Sequence, residues 1–319
     1  MKFNKNRYNV KNKKRQAMKS YKVYQIDSFT RTKFRGNPAG VVPNADGLST
    51  AQMQQIAREL NNSETAFIFA PPKGAEYDIE VRFFTPNTEV PLCGHATIAA
   101  HYVRAILGEH SAGRALQKTK AGILAVDTLK QNGDFAIQMT QASPQIQPPL
   151  DETLTQQIIK ALRIKACDLR ADCPVCVAST GHSKVMIGIK DLNLLHSLAP
   201  NMSALASLST QLSCNGFFVF TLDESDEFLA HGRMFAPAIG INEDPVTGNA
   251  NGPLGAYLVH YGLFKHLQNG GEFSFFAKQG EAIGRDGQMQ VRVSVLNSKP
   301  VLVQIIGEAV VAFETELVL

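Results

Sequence analysis

Glu64 opens the run Glu-Thr-Ala-Phe-Ile-Phe, a carboxylate at the head of an apolar strand and just behind a helix-like segment that ends in Asn61-Asn62. Its strand neighbours are apolar on both faces, which implies partial burial. Burial disfavours the ionised carboxylate and moves it toward the range in which a side chain takes and returns protons near neutral pH. A Glu tied into a helix cap or a salt bridge has the same sequence signature. The other residues suited to proton chemistry sit in a repeat. Glu89-Val-Pro-Leu-Cys-Gly-His-Ala96 recurs as Glu243-Asp-Pro-Val-Thr-Gly-Asn-Ala250, with Glu, Pro, Gly and Ala at a constant offset of 154. Upstream, Arg82-x-Phe84-x-Pro86 recurs as Arg233-x-Phe235-x-Pro237 at an offset of 151, three residues different. One pair of copies at this spacing implies duplicated halves, not a solenoid.

Each copy places a Gly immediately before an apolar helix. The first N–H groups of a helix have no internal partner, and the macrodipole adds roughly half a positive charge there, so a carboxylate is well held. Cys93, Gly94 and His95 in one copy, and Thr247, Gly248 and Asn249 in the other, are therefore the candidate substrate-binding positions. If the halves face each other, both helix starts aim at one anion. The alternative is that each Gly only permits a tight turn. His95 falls in the first turn of its helix, where the dipole favours a neutral imidazole. Asp244 precedes Pro245, where it can handle protons or cap the local backbone. Cys93 at a helix start is expected to be a thiol of lowered pKa and a potential base; its alternative is a small buried hydrophobe.

The elements that must position these groups follow from patterning. Runs rich in Val, Ile, Phe and Thr predict strands over 22–29, 65–69, 79–84, 123–129 and 135–140, and then over 175–179, 184–189, 217–222, 232–235, 272–277, 289–296 and 301–313. Helices are expected over 50–60, 152–162 and 202–212, with Ser49, Asp151 and Asn201 as caps. The Pro-rich stretch 144–149 reads as a linker. The segments 96–107 and 251–261 are apolar nearly all round, so they are buried on most faces. A helix with no polar side to leave in water must be wrapped by strands. The expected fold class is α+β, with two similar lobes, each a curved mixed sheet around a central helix.

The 319 residues suffice for two domains, and 44% apolar with 19% charged residues is an ordinary globular composition. No apolar run approaches the roughly 18 residues that span a bilayer, and no secretory core follows the basic start. Residues 1–17 carry seven Lys/Arg and no acid; without them 25 basic residues face 28 acidic ones, a net of −3. That stretch is read as a disordered extension or an upstream start. Its rival is a nucleic-acid or membrane arm, for which one basic tail without aromatic interleaving is weak support. No nucleic-acid or membrane partner is expected. The five cysteines make no disulfide framework and suit a reducing cytoplasm. Cys173-Pro-Val-Cys176, with Cys167 and His182 nearby, has zinc-like spacing, but it runs into a predicted strand and lacks a second close Cys pair, so no metal is expected. No dinucleotide, Walker, zinc-protease or serine-hydrolase motif is present. Proton transfer without a cofactor is the chemistry these parts suit.

On these stretches the chain resembles the phenazine-biosynthesis-like (PhzF-like) isomerase family and its structural cousins, the diaminopimelate epimerases. The resemblance is carried by Asp27-Ser-Phe-Thr, Phe34-Arg-Gly-Asn37-Pro38-Ala-Gly40, Ser63-Glu64-Thr-Ala-Phe67, Phe84 to Thr97, Thr180-Gly-His182-Ser and Glu243 to Ala250. It implies two pseudo-two-fold-related lobes, 18–142 and 143–303, with about 304–319 returning to complete the first, and a cleft between them. It implies a homodimer without a cofactor, and an isomerase that relocates a proton. Glu64 takes the general acid/base position, with His95 and Asp244 as companions; Asn37 falls in the substrate-contacting loop, and Gly94, His95, Gly248 and Asn249 match the carboxylate-holding backbone. The epimerases of this fold need a thiol at each helix start. This chain has Cys93 in one place and Thr247 in the other, and a hydroxyl with no base beside it is too weak an acid to act as the second.

The expected function is a cofactor-independent isomerase of a small carboxylate-bearing substrate, working through Glu64. Two alternatives stay open: a racemase or epimerase using the single thiol of Cys93 opposite Glu64, and a non-catalytic carboxylate-binding protein.

Overall fold

The structure, a computed structural model, describes residues 19–263 and 271–319; the expectation for the basic stretch 1–17 lies outside the described residues. In the first half the strands are β1 (Ser20–Ser28), β2 (Asn37–Val42), β3 (Glu64–Phe69), β4 (Ile79–Phe84), β5 (Glu89–Val90), β6 (Gly113–Thr119), β7 (Gly122–Gln131) and β8 (Asp134–Thr140). The helices there are α1 (Thr50–Leu60) and α2 (Gly94–Ile106). The second half contains β9 (Gln145–Pro149), β10 (Cys176–Ser179), β11 (Lys184–Gly188), β12 (Phe217–Leu222), β13 (Ala230–Ala236), β14 (Ile241–Asp244), β15 (Gly271–Gln279), β16 (Gly287–Leu296) and β17 (Lys299–Val318). Its helices are α3 (Glu152–Leu162), α4 (Leu192–Ser197), α5 (Met202–Gln211) and α6 (Gly248–His260).

These strands are hydrogen-bonded into one mixed sheet. The repeat in sequence is also a repeat in pairing. β2–β3 is parallel, β3–β4 and β4–β5 antiparallel, and β4–β6 parallel. In the second half β11–β12 is parallel, β12–β13 and β13–β14 antiparallel, and β13–β15 parallel. β17 serves both halves: its first residues pair with β16, Gln304–Glu308 with β8, and Ala309–Val318 with β1. The Pro-rich stretch read as a linker is instead strand β9, antiparallel to β10. Its prolines are tolerated because an edge position leaves few N–H groups to satisfy.

The two apolar helices lie inside. α2 packs against β1, β2, β3, β7, β8 and β17, and α6 against β9, β10, β11, β15, β16 and β17. Strands with a helix on each face are apolar throughout, with the pleat sending alternate residues to opposite sides. In β12, Phe218 and Phe220 point to the central core, whereas Phe217 and Val219 meet the outer layer of α3, α4 and α5. In the first half Ala66, Ile68 and Phe83 face the centre, and Phe67 and Phe84 face Met53, Ile56 and Ala57 of α1.

The helices differ in how they begin. The outer ones carry side-chain caps: Ser49 with Gln52 on α1, Asp151 on α3, Asp191 on α4 and Asn201 on α5. Cys93 and Thr247, which precede α2 and α6, make no side-chain cap. Each uncapped start is pinned instead by the repeated Arg and Glu. Arg82 donates through Nε and Nη2 to the two oxygens of Glu89, both at 2.8 Å, with its guanidinium 5.2 Å from the Phe84 ring. Arg233 repeats this on Glu243 at 2.8 and 2.7 Å, over Phe235 at 5.0 Å. This fork-on-fork geometry fixes direction as well as charge.

The two clamps are unequal. Arg233 Nη1 also donates to the carbonyls of Leu195, His196 and Leu198 at the end of α4, at 3.0, 3.2 and 2.8 Å. Glu89, by contrast, keeps a second cation, Lys120, at 2.7 Å. Arg233→Met therefore strands a largely buried carboxylate and three carbonyls, and is expected to cost about 3–5 kcal/mol. Arg82→Met leaves Glu89 partnered and is expected to cost about 1–2 kcal/mol. Urea unfolding of both variants checks the order; equal losses would refute it.

Candidate active site

The starts of α2 and α6 open into one cavity of about 230 Å³, lined by Glu64, Val90 to His95, Asp244 and Val246 to Asn249. Both repeats therefore face the same space. The same lining includes His182, Lys184 and Asn215, with His182 close enough to feel the other two, and the apolar side chains of Met234, Ala236 and Ile241.

Glu64 is the first residue of β3, and its side chain is 15% exposed. His95 Nε2 lies 3.4 Å from Glu64 Oε2 and 3.2 Å from Ser63 Oγ. The second residue of α2 thus meets the strand beside it, and the imidazole touches the Glu64 carboxylate. His95, 8% exposed, is anchored by its backbone as well, since Ser28 Oγ donates to its carbonyl at 2.8 Å. Cys93 Sγ is 3.4 Å from His95 Nδ1. The expectation of a thiol of lowered pKa at this helix start is overturned. Burial pushes the Cys93 thiol well above its usual range and the Glu64 carboxylate pushes the same way; the N–H of Ala96 pulls against them and loses.

Asp244 ends β14, and burial raises its carboxyl from the ordinary value against the pull of His95, Thr247 and Asn37. Its Oδ1 accepts from Asn37 Nδ2 at 2.8 Å, and its Oδ2 accepts from the Thr247 hydroxyl. Asn37 was expected to contact substrate. It is instead fully buried behind the cavity, where it donates to Asp244 and to the carbonyl of Val246 and so holds the carboxylate in place. The Thr247 hydroxyl does have a base beside it, contrary to the sequence reading, and Gln279 donates to it at 3.0 Å. The N–H of Thr247 is also taken, by Gln279 Oε1 at 3.1 Å. The donors facing the cavity in this copy are those of Gly248 and Asn249 at the helix start.

The two glycines have different reasons. A Cβ on Gly94 would meet open space, so this residue borders the cavity itself. A Cβ on Gly248 would lie 2.3 Å from the terminal methyl of Ile305, so a side chain there requires Ile305 to move.

Glu64, Cys93 and His95 also form the one trio among the described residues whose metal-capable atoms converge, within 4.8 Å. Cys173 and Cys176, whose spacing suggested zinc, are buried thiols that burial pushes up to about 11. Cys173 packs against Gly188 and Phe220, and Cys167 is exposed.

Sequence reasoning missed Lys184, Asn215 and Gln279, and met His182 only beside the zinc-like cysteines and in the resemblance. The signal for Lys184 was present. Like Glu64, it is a charged residue at the head of an apolar strand, Lys-Val-Met-Ile-Gly. Lys184 is 3% exposed, and burial lowers its ammonium from 10.5 to about 8. Holding such a group charged inside the protein costs folding free energy.

The chain matches the family described as phenazine biosynthesis-like protein over residues 26–315. It is 56% identical over 303 residues to an uncharacterized isomerase of Clostridium acetobutylicum, covering 95% of this chain and 99% of that one. It is 31% identical over 292 residues to the trans-2,3-dihydro-3-hydroxyanthranilate isomerase of Pseudomonas fluorescens, covering 89% and 95%. Among solved structures, a phenazine biosynthesis protein of the PhzF family from Bacillus anthracis superposes with a TM-score of 0.84 at 31% identity, covering 95% and 100%.

Lys184→Met is expected to stabilise the ligand-free protein. The folded-state value near 8 lies below the unfolded 10.5, so the penalty is complete below pH 8, shrinks between the two values and vanishes above the upper one. At pH 7 the gain is about 3 kcal/mol. Denaturant titrations at pH 7 and pH 10.5 check it; a gain that persists at the higher pH refutes the electrostatic cause.

Proposed function

The chain belongs to the phenazine biosynthesis-like protein family, and from that premise we propose that it is an isomerase in which Glu64 relocates a proton on a small carboxylate-bearing substrate without a cofactor. The observation that carries this reading is the meeting of two uncapped helix starts at a cavity that also holds Glu64. The N–H groups of Gly94, His95, Gly248 and Asn249 hold the substrate carboxylate. They also stabilise charge that develops on it as the adjacent C–H bond breaks, and a well-aimed donor of this kind is worth about 3 kcal/mol in the barrier.

The ionised Glu64 takes a proton from carbon, leaving the electron pair delocalised toward the held carboxylate. The same carboxyl then returns that proton to a different carbon. His95, in contact with Glu64, orients the carboxylate and shares its proton. Asp244, whose burial favours the neutral form, supplies a second proton-bearing group across the cavity. In this reading the halves act as two pseudo-two-fold lobes, each contributing one helix start, and closure of the cleft excludes the water that would compete for the proton.

The single-thiol racemase reading requires Cys93 as a thiolate, and burial beside Glu64 opposes that state. Glu64→Gln keeps the shape and removes the base. It is expected to lower deuterium incorporation into substrate from heavy water by 10³-fold or more, roughly the full range of general-base catalysis, while ligand affinity changes little. Undiminished exchange in this variant removes Glu64 from the mechanism. In the same assay Cys93→Ser is expected to keep at least about a third of the rate, since no proton passes through sulfur; loss as complete as that of Glu64→Gln would favour the thiol mechanism.

A further inference from the structure

Three cationic side chains are buried among the described residues: Arg104, Lys184 and Arg233. Arg104 faces Glu109 at 3.6 Å and Arg233 is clamped by Glu243. Lys184 has no hydrogen bond and no ion pair among the described residues, and it lines the cavity. The nearest acid that acts on it is Asp244, but both oxygens of that carboxylate are already engaged, by Asn37 and by Thr247. A buried ammonium is costly, and among the described residues no carboxylate pairs with this one directly; Asp244 acts on it only through the charge field. Its missing partner belongs in the cavity.

We propose that Lys184, with the side chains of Asn215 and His182 in the same lining, is a second carboxylate subsite, so that the substrate is a dicarboxylate. The inference rests on the reading of the cleft given above, in which the first carboxylate sits on the helix starts. The two holders differ in kind, backbone N–H groups on one side and a point charge on the other. Met234, Ala236 and Val246 supply an apolar surface for a short carbon skeleton. One ammonium balances one carboxylate. A phosphate dianion at the same place would carry one more negative charge than the single ammonium balances, in a cavity that already holds the Glu64 carboxylate. A substrate ammonium here would be repelled by Lys184.

The test is calorimetric titration of the full-length protein with malonate, succinate, glutarate and adipate and with their monomethyl esters, at fixed ionic strength. Each half ester keeps the skeleton and one carboxylate and lacks the second charge. The wild type is expected to bind at least one diacid about tenfold or more tighter than its half ester, as a charge-assisted contact in a dry site allows. Lys184→Met is expected to bring that preference below about twofold and to leave half-ester affinity unchanged. The proposal is overturned if the wild type shows no diacid preference, or if the variant keeps it. It is also overturned if the variant loses affinity for acid and half ester alike, since Lys184 would then hold the first carboxylate. Half-ester binding and heavy-water exchange through Glu64 report on the cleft reading separately, so either idea can fail without the other.

Discussion

The structure depends on keeping two helix N-termini uncapped inside a protein. Unpaired N–H groups in an apolar interior are costly, and the outer helices avoid that cost with Ser49, Asp151, Asp191 and Asn201. α2 and α6 have no such side chain, and their open ends meet at one cavity. What holds them there is the stretch just upstream of each in the chain. The Arg82–Glu89 and Arg233–Glu243 clamps tie each loop to its own sheet, each stacked on a Phe one pleat away. The strands around each helix then leave no room for it to withdraw.

Charge around the cavity is arranged so that little of it cancels internally. Glu64 and His95 lean on each other, but Asp244 is held by neutral donors, and Lys184 by nothing among the described residues. Neutral donors fix a carboxylate without neutralising it, which leaves its protonation to be set by burial and by whatever enters the cavity. Asn37 holds the carboxylate directly, and Gln279 holds the Thr247 hydroxyl that donates to it and the backbone carbonyl of Asp244. Each is buried, each touches the second repeat, and each comes from a strand distant from it in sequence: β2 and β15. The asymmetry between the repeats follows. The first copy carries the thiol and the imidazole; the second carries a Thr–Asp–Gln network in the same place.

The outer elements were legible because each has a local cause. A cap residue followed by amphipathic spacing predicted α1, α3 and α5 closely, and the β-rich runs predicted β4 and β12 to the residue. Short strands failed for the opposite reason. β5 and β14 are two and four residues of loop-like composition that become strands only because β4 and β13 lie beside them. The Pro-rich β9 was read as a linker, since nothing in its own residues signals that β10 will pair with it. Cys93 was misjudged because the effect of a helix start on a thiol is local and could be anticipated, whereas complete burial next to Glu64 could not.

The amino-acid order by itself determined that two equivalent helix starts exist, that both are apolar behind and open in front, and that Glu64 heads an apolar strand. Those are properties of neighbours along the chain: propensity, periodicity and repetition. Only the tertiary structure decided that the two starts share a cavity, that Asn37 holds Asp244 from behind that cavity, and that Lys184 stands buried with no hydrogen bond or ion pair to its side chain among the described residues. Burial and pairing are set by residues tens to hundreds of positions apart, and the electrostatic energy of a side chain depends on that company far more than on its own identity.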